Sequence, residues 1–91
     1  MAVTVRIPTV LRKLTKSQAE VEVSGSDISA LIDDLEAKYP GIKERICNDE
    51  GKIRRFVNIF INDEDIRFRG NETAKLEDGD VVSIVPAVAG G

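Results

Sequence analysis

The residues best suited to chemistry stand at the end of the chain, which reads Ala87-Val88-Ala89-Gly90-Gly91. Three small uncharged side chains are followed by two residues with none. Such a thread fits a channel too narrow for side chains and presents one group there, the α-carboxylate of Gly91. That group is ionised at neutral pH, with a reference pKa of about 3.3 to 3.7, and is a poor acyl electrophile until a better leaving group replaces one oxygen. The sequence has no phosphate-binding loop with which to make that change. Activation is therefore expected from a partner.

The other groups offer less. Without histidine there is no Ser-His or Cys-His pair and no imidazole ligand, and the single cysteine, Cys47, cannot build a zinc or iron-sulfur site. Cys47 falls on the inner side of an expected helical turn and reads as a small buried hydrophobe. Asp63-Glu64-Asp65 resembles the start of a calcium loop, but Arg67 and Phe68 then stand where an oxygen ligand and a glycine are needed. It reads as a solvated turn. Asp33, Asp34 and Glu36 fall on the polar face of a helix and read as solubility. No metal and no bound cofactor are expected.

With 91 residues, 42% of them hydrophobic and 32% charged, the chain is expected to form one compact domain. Thirteen basic against 16 acidic residues give a net charge of −3, and aromatic residues are few. Both argue against nucleic-acid binding, and Lys13, Lys16, Arg54 and Arg55 read as solvated surface. The apolar runs fall far short of the ~20 residues of a membrane helix, and the start is charged and alternating rather than a signal sequence. A cytoplasmic location is the expectation.

The elements that must position the tail follow from periodicity. Val3, Val5 and Ile7 alternate with Thr4, Arg6 and Pro8 as a strand, and Ala19, Val21 and Val23 alternate with Glu20 and Glu22 as a second. A polar connection from Lys13 to Ser17 would join them as a hairpin. Asp27, with Ser26 as competitor, caps an amphipathic helix carrying Ile28, Leu31, Ile32, Leu35 and Tyr39 and ending at Pro40-Gly41. Ile42 and Ile46 allow one short helical turn before Cys47. Val57, Ile59 and Ile61 mark a third strand, Ile66 to Phe68 a short fourth, and Val81 to Val85 a closing strand after the turn Glu77 to Asp80. The predicted fold is α+β, ordered ββαβββ, with one main helix packed on one face of a mixed sheet. Residues 1–86 form the domain and 87–91 the tail. Val5, Ile7, Val21, Leu31, Leu35, Val57, Ile59, Ile61, Val82 and Ile84 are the expected core.

The order ββαβββ with the ending PAVAGG resembles the ubiquitin-like β-grasp sulfur carriers of the MoaD/ThiS family. The segments FVNIFINDEDIRF (Phe56 to Phe68) and LEDGDVVSIVPAVAGG (Leu76 to Gly91) are most similar to the CysO type, which serves cysteine biosynthesis. The likeness spans nearly the whole chain, including DISALIDDLEAKYPGI from Asp27 to Ile42. The resemblance implies that an E1-like adenylating and sulfurtransferase enzyme activates Gly91 with ATP. A sulfur source then makes the thiocarboxylate, and a second, sulfur-accepting enzyme, with a PLP-dependent cysteine synthase as one candidate, uses it. Ala87, Val88, Ala89 and Gly90 would form the thread, with nothing beyond the diglycine to be removed. The chain would be a co-substrate rather than an enzyme, and a monomer when alone. Alternatives are the small subunit of molybdopterin synthase, a ubiquitin-like protein modifier and a passive interaction module. In a β-grasp sheet the first, third and last strands are neighbours, so Arg6, Asn58, Phe60, Ser83 and Val85 would share the outer face beside the tail as a partner docking site.

Overall fold

The computed structural model describes residues 2–86. Alternating valines build β1 (Ala2–Arg6) and β2 (Glu20–Ser24), which pair antiparallel with Val3 opposite Val23 and Val5 opposite Val21. The main helix, α1 (Ile28–Lys38), starts where the Asp27 side chain accepts the Ala30 N–H at 2.8 Å, so Asp27 and not Ser26 is the cap. A single turn, α2 (Lys43–Ile46), buries Ile46. Then come β3 (Val57–Ile61), β4 (Glu64–Asp65) and β5 (Val81–Pro86). The sheet runs β2-β1-β5-β3-β4, with β5 parallel to β1 and antiparallel to β3.

The inward phases of β1, β2, β3 and β5 meet one stripe of α1. Val3, Val5, Ile59, Ile61, Val82 and Ile84 are buried against Ile28, Leu31, Ile32 and Leu35, and Ile7 and Val21 join them. Val57, expected in the core, is only partly buried. The β3–β4 ladder covers Phe60 and Ile61 alone, which leaves the Val57 end of the strand without that neighbour.

Three stretches depart from the predicted elements. The connection after β1 is a 3-10 helix over Thr9–Thr15, not merely a polar loop: Leu11 and Thr15 are buried in it, and the Thr15 hydroxyl lies 2.9 Å from the Gln18 carbonyl. Ile66–Phe68 is also 3-10 rather than a strand, because the Asp65 carboxylate accepts the Arg67 N–H at 2.9 Å and turns the chain at once. A further 3-10 turn spans Asn71–Thr73.

The helix carboxylates do more than keep the chain soluble. Asp34 accepts the Ser24 N–H at 2.9 Å and pairs with Lys38, whose Nζ donates to the Glu22 carbonyl at 3.2 Å. Two backbone groups on the outer edge of β2 are thereby occupied, which blunts that edge against pairing with another chain. Glu36 accepts the N–H groups of Lys43 at 2.8 Å and Gly41 at 3.1 Å, tying α1 to α2. Those backbone donors hold its carboxyl below the ordinary carboxylate range.

Two measurements check this packing. A β-carbon on Gly25 would stand 2.6 Å from the Leu31 nitrogen, so Gly25→Ala is expected to cost about 1 to 3 kcal/mol. An unchanged denaturation midpoint would contradict the β2–α1 contact. Since the Glu36 pKa is depressed on folding, its contribution is present above the ordinary carboxylate pKa and lost as pH falls through the folded value. Glu36→Gln should therefore lose less stability than the native chain between about pH 6 and about pH 3; parallel curves would contradict the assignment.

Candidate functional site

Register decides which residues meet on the face turned away from α1. Arg6 lies opposite Ser83 across β1 and β5, and Ser83 lies opposite Phe60 across β5 and β3. The next pair is Val85 with Asn58. Because a strand's side chains alternate, these pairings put all five predicted docking residues on one face. Val81, opposite Thr4, belongs there too. It adds to the predicted set, since the alternation that selects Ser83 and Val85 selects it equally.

The face has an apolar middle and a charged rim. Phe60 is diagonal to both Val81 and Val85, a separation of about 7 to 8 Å that aromatic side chains bridge. Phe60 is half-buried while Val85 is 45% exposed. On one side Arg6 faces Glu20 at 3.5 Å, and on the other Asp65, opposite Phe60, holds Arg67 at 2.7 Å. The Arg67 side chain keeps the Asp65 carboxyl below its ordinary range. This division resembles that of protein interfaces.

The strand that leads to the tail is fixed along both edges. The Thr4 N–H donates to the Asp80 carbonyl at 3.0 Å, and the Asn62 N–H donates to the Val81 carbonyl at 2.8 Å. The Asn62 side chain adds a clamp, accepting the Val81 N–H at 3.0 Å and donating to Asp80 Oδ1 at 2.9 Å. Asn62 and Asp63 reach this position through positive φ angles of 48° and 75°, the two-residue hairpin turn between β3 and β4. By the same alternation Pro86 directs its missing donor past the end of β1, where it costs no ladder bond, while it pairs in register with Val57. The predicted thread and reactive residue, Ala87, Val88, Ala89, Gly90 and Gly91, lie outside the described residues.

The remaining sequence candidates are structural. Cys47 is 2% exposed, and burial pushes its thiol pKa up, away from the thiolate. Asp63-Glu64-Asp65 is a turn and short strand, with Asp65 and Glu64 paired to Arg67 and Arg69. Among the described residues no cluster of three His, Cys, Asp or Glu could hold a metal, and no helix is long and apolar enough to cross a membrane.

One long helix laid across a mixed five-stranded sheet, with the last strand between the first and the third, defines a ubiquitin-like β-grasp protein. Residues 5–91 match the model of the ThiS family. The sulfur carrier protein CysO of Mycobacterium tuberculosis H37Rv is 54% identical over 93 residues, spanning 100% of both chains. A chain of the crystal structure of the Amycolatopsis orientalis BexX/CysO complex superposes with a TM-score of 0.92 at 48% identity, covering 98% of this chain and 99% of that one. The crystal structure of Mycobacterium tuberculosis CysO gives a TM-score of 0.90 at 52% identity, over 94% and 99% of the two chains. The chain belongs to the ThiS family and is a ubiquitin-like sulfur carrier of the CysO type. Carriers of this kind are acted on by partner enzymes and are not catalysts themselves.

Cys47 should resist alkylation in the native protein and react at once in denaturant, because a buried thiol with a raised pKa offers little thiolate. Rapid native labelling, followed by mass spectrometry, would contradict that placement.

Proposed function

We propose that the Gly91 carboxylate is the group on which sulfur is carried, and that the face around Phe60 docks the enzymes that act on it. The observation that supports this most is continuity: β5, held on both edges and carrying Val81 and Val85 beside Phe60 of β3, is followed directly in sequence by the diglycine tail. In the first step a carboxylate oxygen of Gly91 attacks the α-phosphorus of ATP on an E1-like enzyme, releasing pyrophosphate and leaving an acyl adenylate. Sulfide-level sulfur then attacks the acyl carbon and expels AMP, which leaves the thiocarboxylate. The thiocarboxylate is softer and more nucleophilic than the carboxylate, and the folded body gives each enzyme a binding surface while keeping reduced sulfur from diffusing away. The CysO-type likeness supports cysteine biosynthesis as the destination, with a PLP-dependent cysteine synthase as the candidate acceptor enzyme and the cytoplasm as the proposed setting. ATP is consumed on the activating enzyme and is no cofactor of this chain.

ATP–pyrophosphate exchange with the activating enzyme tests the assignment. Deleting Gly91, or appending one residue after it, should abolish exchange with an unchanged melting temperature; normal exchange on the extended chain would overturn it. Gly90→Ala should fold normally and react poorly, since a β-carbon thickens the thread next to the reacting group. Phe60→Ala with Val85→Asp should weaken binding to the enzyme by about 1 kcal/mol or more without lowering the melting temperature. Unaltered affinity of that double variant would place docking elsewhere.

A further inference from the structure

Two arginine-phenylalanine segments lie at a hollow that adjoins the outer sheet face and shares Asn58, Asp65 and Arg67 with it. Arg54-Arg55-Phe56 leads into β3 and Arg67-Phe68-Arg69 follows β4. Arg54, Arg55 and Arg67 line a hollow of about 230 Å³ together with Val57, Ile59 and Ile66. Phe56 is 60% exposed and Phe68 83%, the two most exposed large apolar side chains among the described residues. Isolated exposed apolar residues carry no message, but two phenylalanines flanked by four arginines have the composition of an interface anchor.

The charge is as uneven as the hydrophobicity. Residues 52–69 hold five basic and three acidic side chains, a net +2 in a chain of net −3, so the rest of the molecule carries −5. The carboxylates at the hollow are already engaged: Asp65 holds Arg67 at 2.7 Å, and Glu72 accepts the Ile53 N–H at 2.8 Å. Arg69 is paired with Glu64 at 3.3 Å. Arg54 donates its Nε to the Glu44 carbonyl at 3.0 Å, which orients the guanidinium and leaves its other donors available. Arg55 has no ion-pair or hydrogen-bond partner among the described residues. The unmet positive charge therefore sits at Arg54 and Arg55, directly beside Phe56.

We propose that this rim binds an acidic segment of a partner protein, its carboxylates on Arg54 and Arg55 and an apolar side chain against Phe56 and Phe68. A planar guanidinium forks onto a carboxylate with two donors, and a neighbouring aromatic ring excludes water from the pair. Nucleic acid fits less well, because the rim's two carboxylates and the acidic remainder of the chain oppose a polyphosphate. The register of Val57 with Pro86 sets this rim next to the end of β5. Binding itself requires neither Gly91 nor ATP.

Amide chemical shifts of the full isotopically labelled chain, titrated with a short peptide of alternating glutamate and leucine, provide the test. Saturable shifts are expected at residues 54–59 and 66–69, with affinity falling as salt rises. Either Arg54→Gln with Arg55→Gln or Phe56→Ala with Phe68→Ala should weaken binding by about tenfold. These side chains are exposed, so the free variants should keep the native amide positions at the buried core residues, which shows that their fold is unchanged. The chain lacking Gly91 should bind as well as the native one, which separates this surface from the tail chemistry. Shifts confined to other residues, equal binding of a lysine-for-glutamate peptide, or tighter binding of oligothymidylate at the rim would overturn the proposal.

Discussion

The structure depends on β5 being hydrogen-bonded along both edges. It lies between β1 and β3, and its inward residues Val82 and Ile84 are the centre of the layer that α1 covers. Residues 87–91 follow this strand directly in sequence, so the segment proposed to carry chemistry is joined to a strand paired on both edges. A β5 on the sheet edge would meet neither need. Antiparallel pairing to β3 brings Phe60 and Asn58 beside Ser83 and Val85, and parallel pairing to β1 brings Arg6 and Thr4 to the other side. The same two ladders thus hold the core together and assemble the outer face.

The rest of the molecule protects that arrangement from its own edges. On β2, Asp34 and Lys38 reach from α1 to occupy the Ser24 N–H and the Glu22 carbonyl. On the opposite side β4 is only two residues long before Asp65 turns the chain into a 3-10 segment. Short or side-chain-covered edges are what keep a small sheet from adding strands from other molecules. Asp34 and Asp65 each accept a backbone N–H that holds the carboxyl below its ordinary range, so acid is expected to loosen these two edges.

How much of this could be read from the sequence follows from the range of the interactions. Local periods fixed the strands around Val5, Val21, Ile59 and Val82, and the cap at Asp27, because each needs only its own neighbours. The outer face was legible as well, but the neighbour relation of β1, β5 and β3 came from family likeness; period-2 alternation alone gives no strand order. What stayed hidden depends on distant partners. Glu36 reads as a solvated helix carboxylate until the chain returns at Gly41 and Lys43 to meet it. Thr9–Thr15 and Ile66–Phe68 are short 3-10 pieces, without the length that makes a period readable. Gly91 is proposed on residue type and family likeness, since a carboxylate on a thread without side chains has no periodic signature.

In the proposed scheme labour is divided: the folded body supplies recognition and Gly91 supplies the reacting atom. The most direct measurement is the intact mass of the chain isolated from its own cells, with fragmentation to locate any change. A population with one oxygen of the Gly91 carboxylate replaced by sulfur is expected. A chain that carries only the carboxylate, or whose added sulfur maps to Cys47 instead, would contradict it.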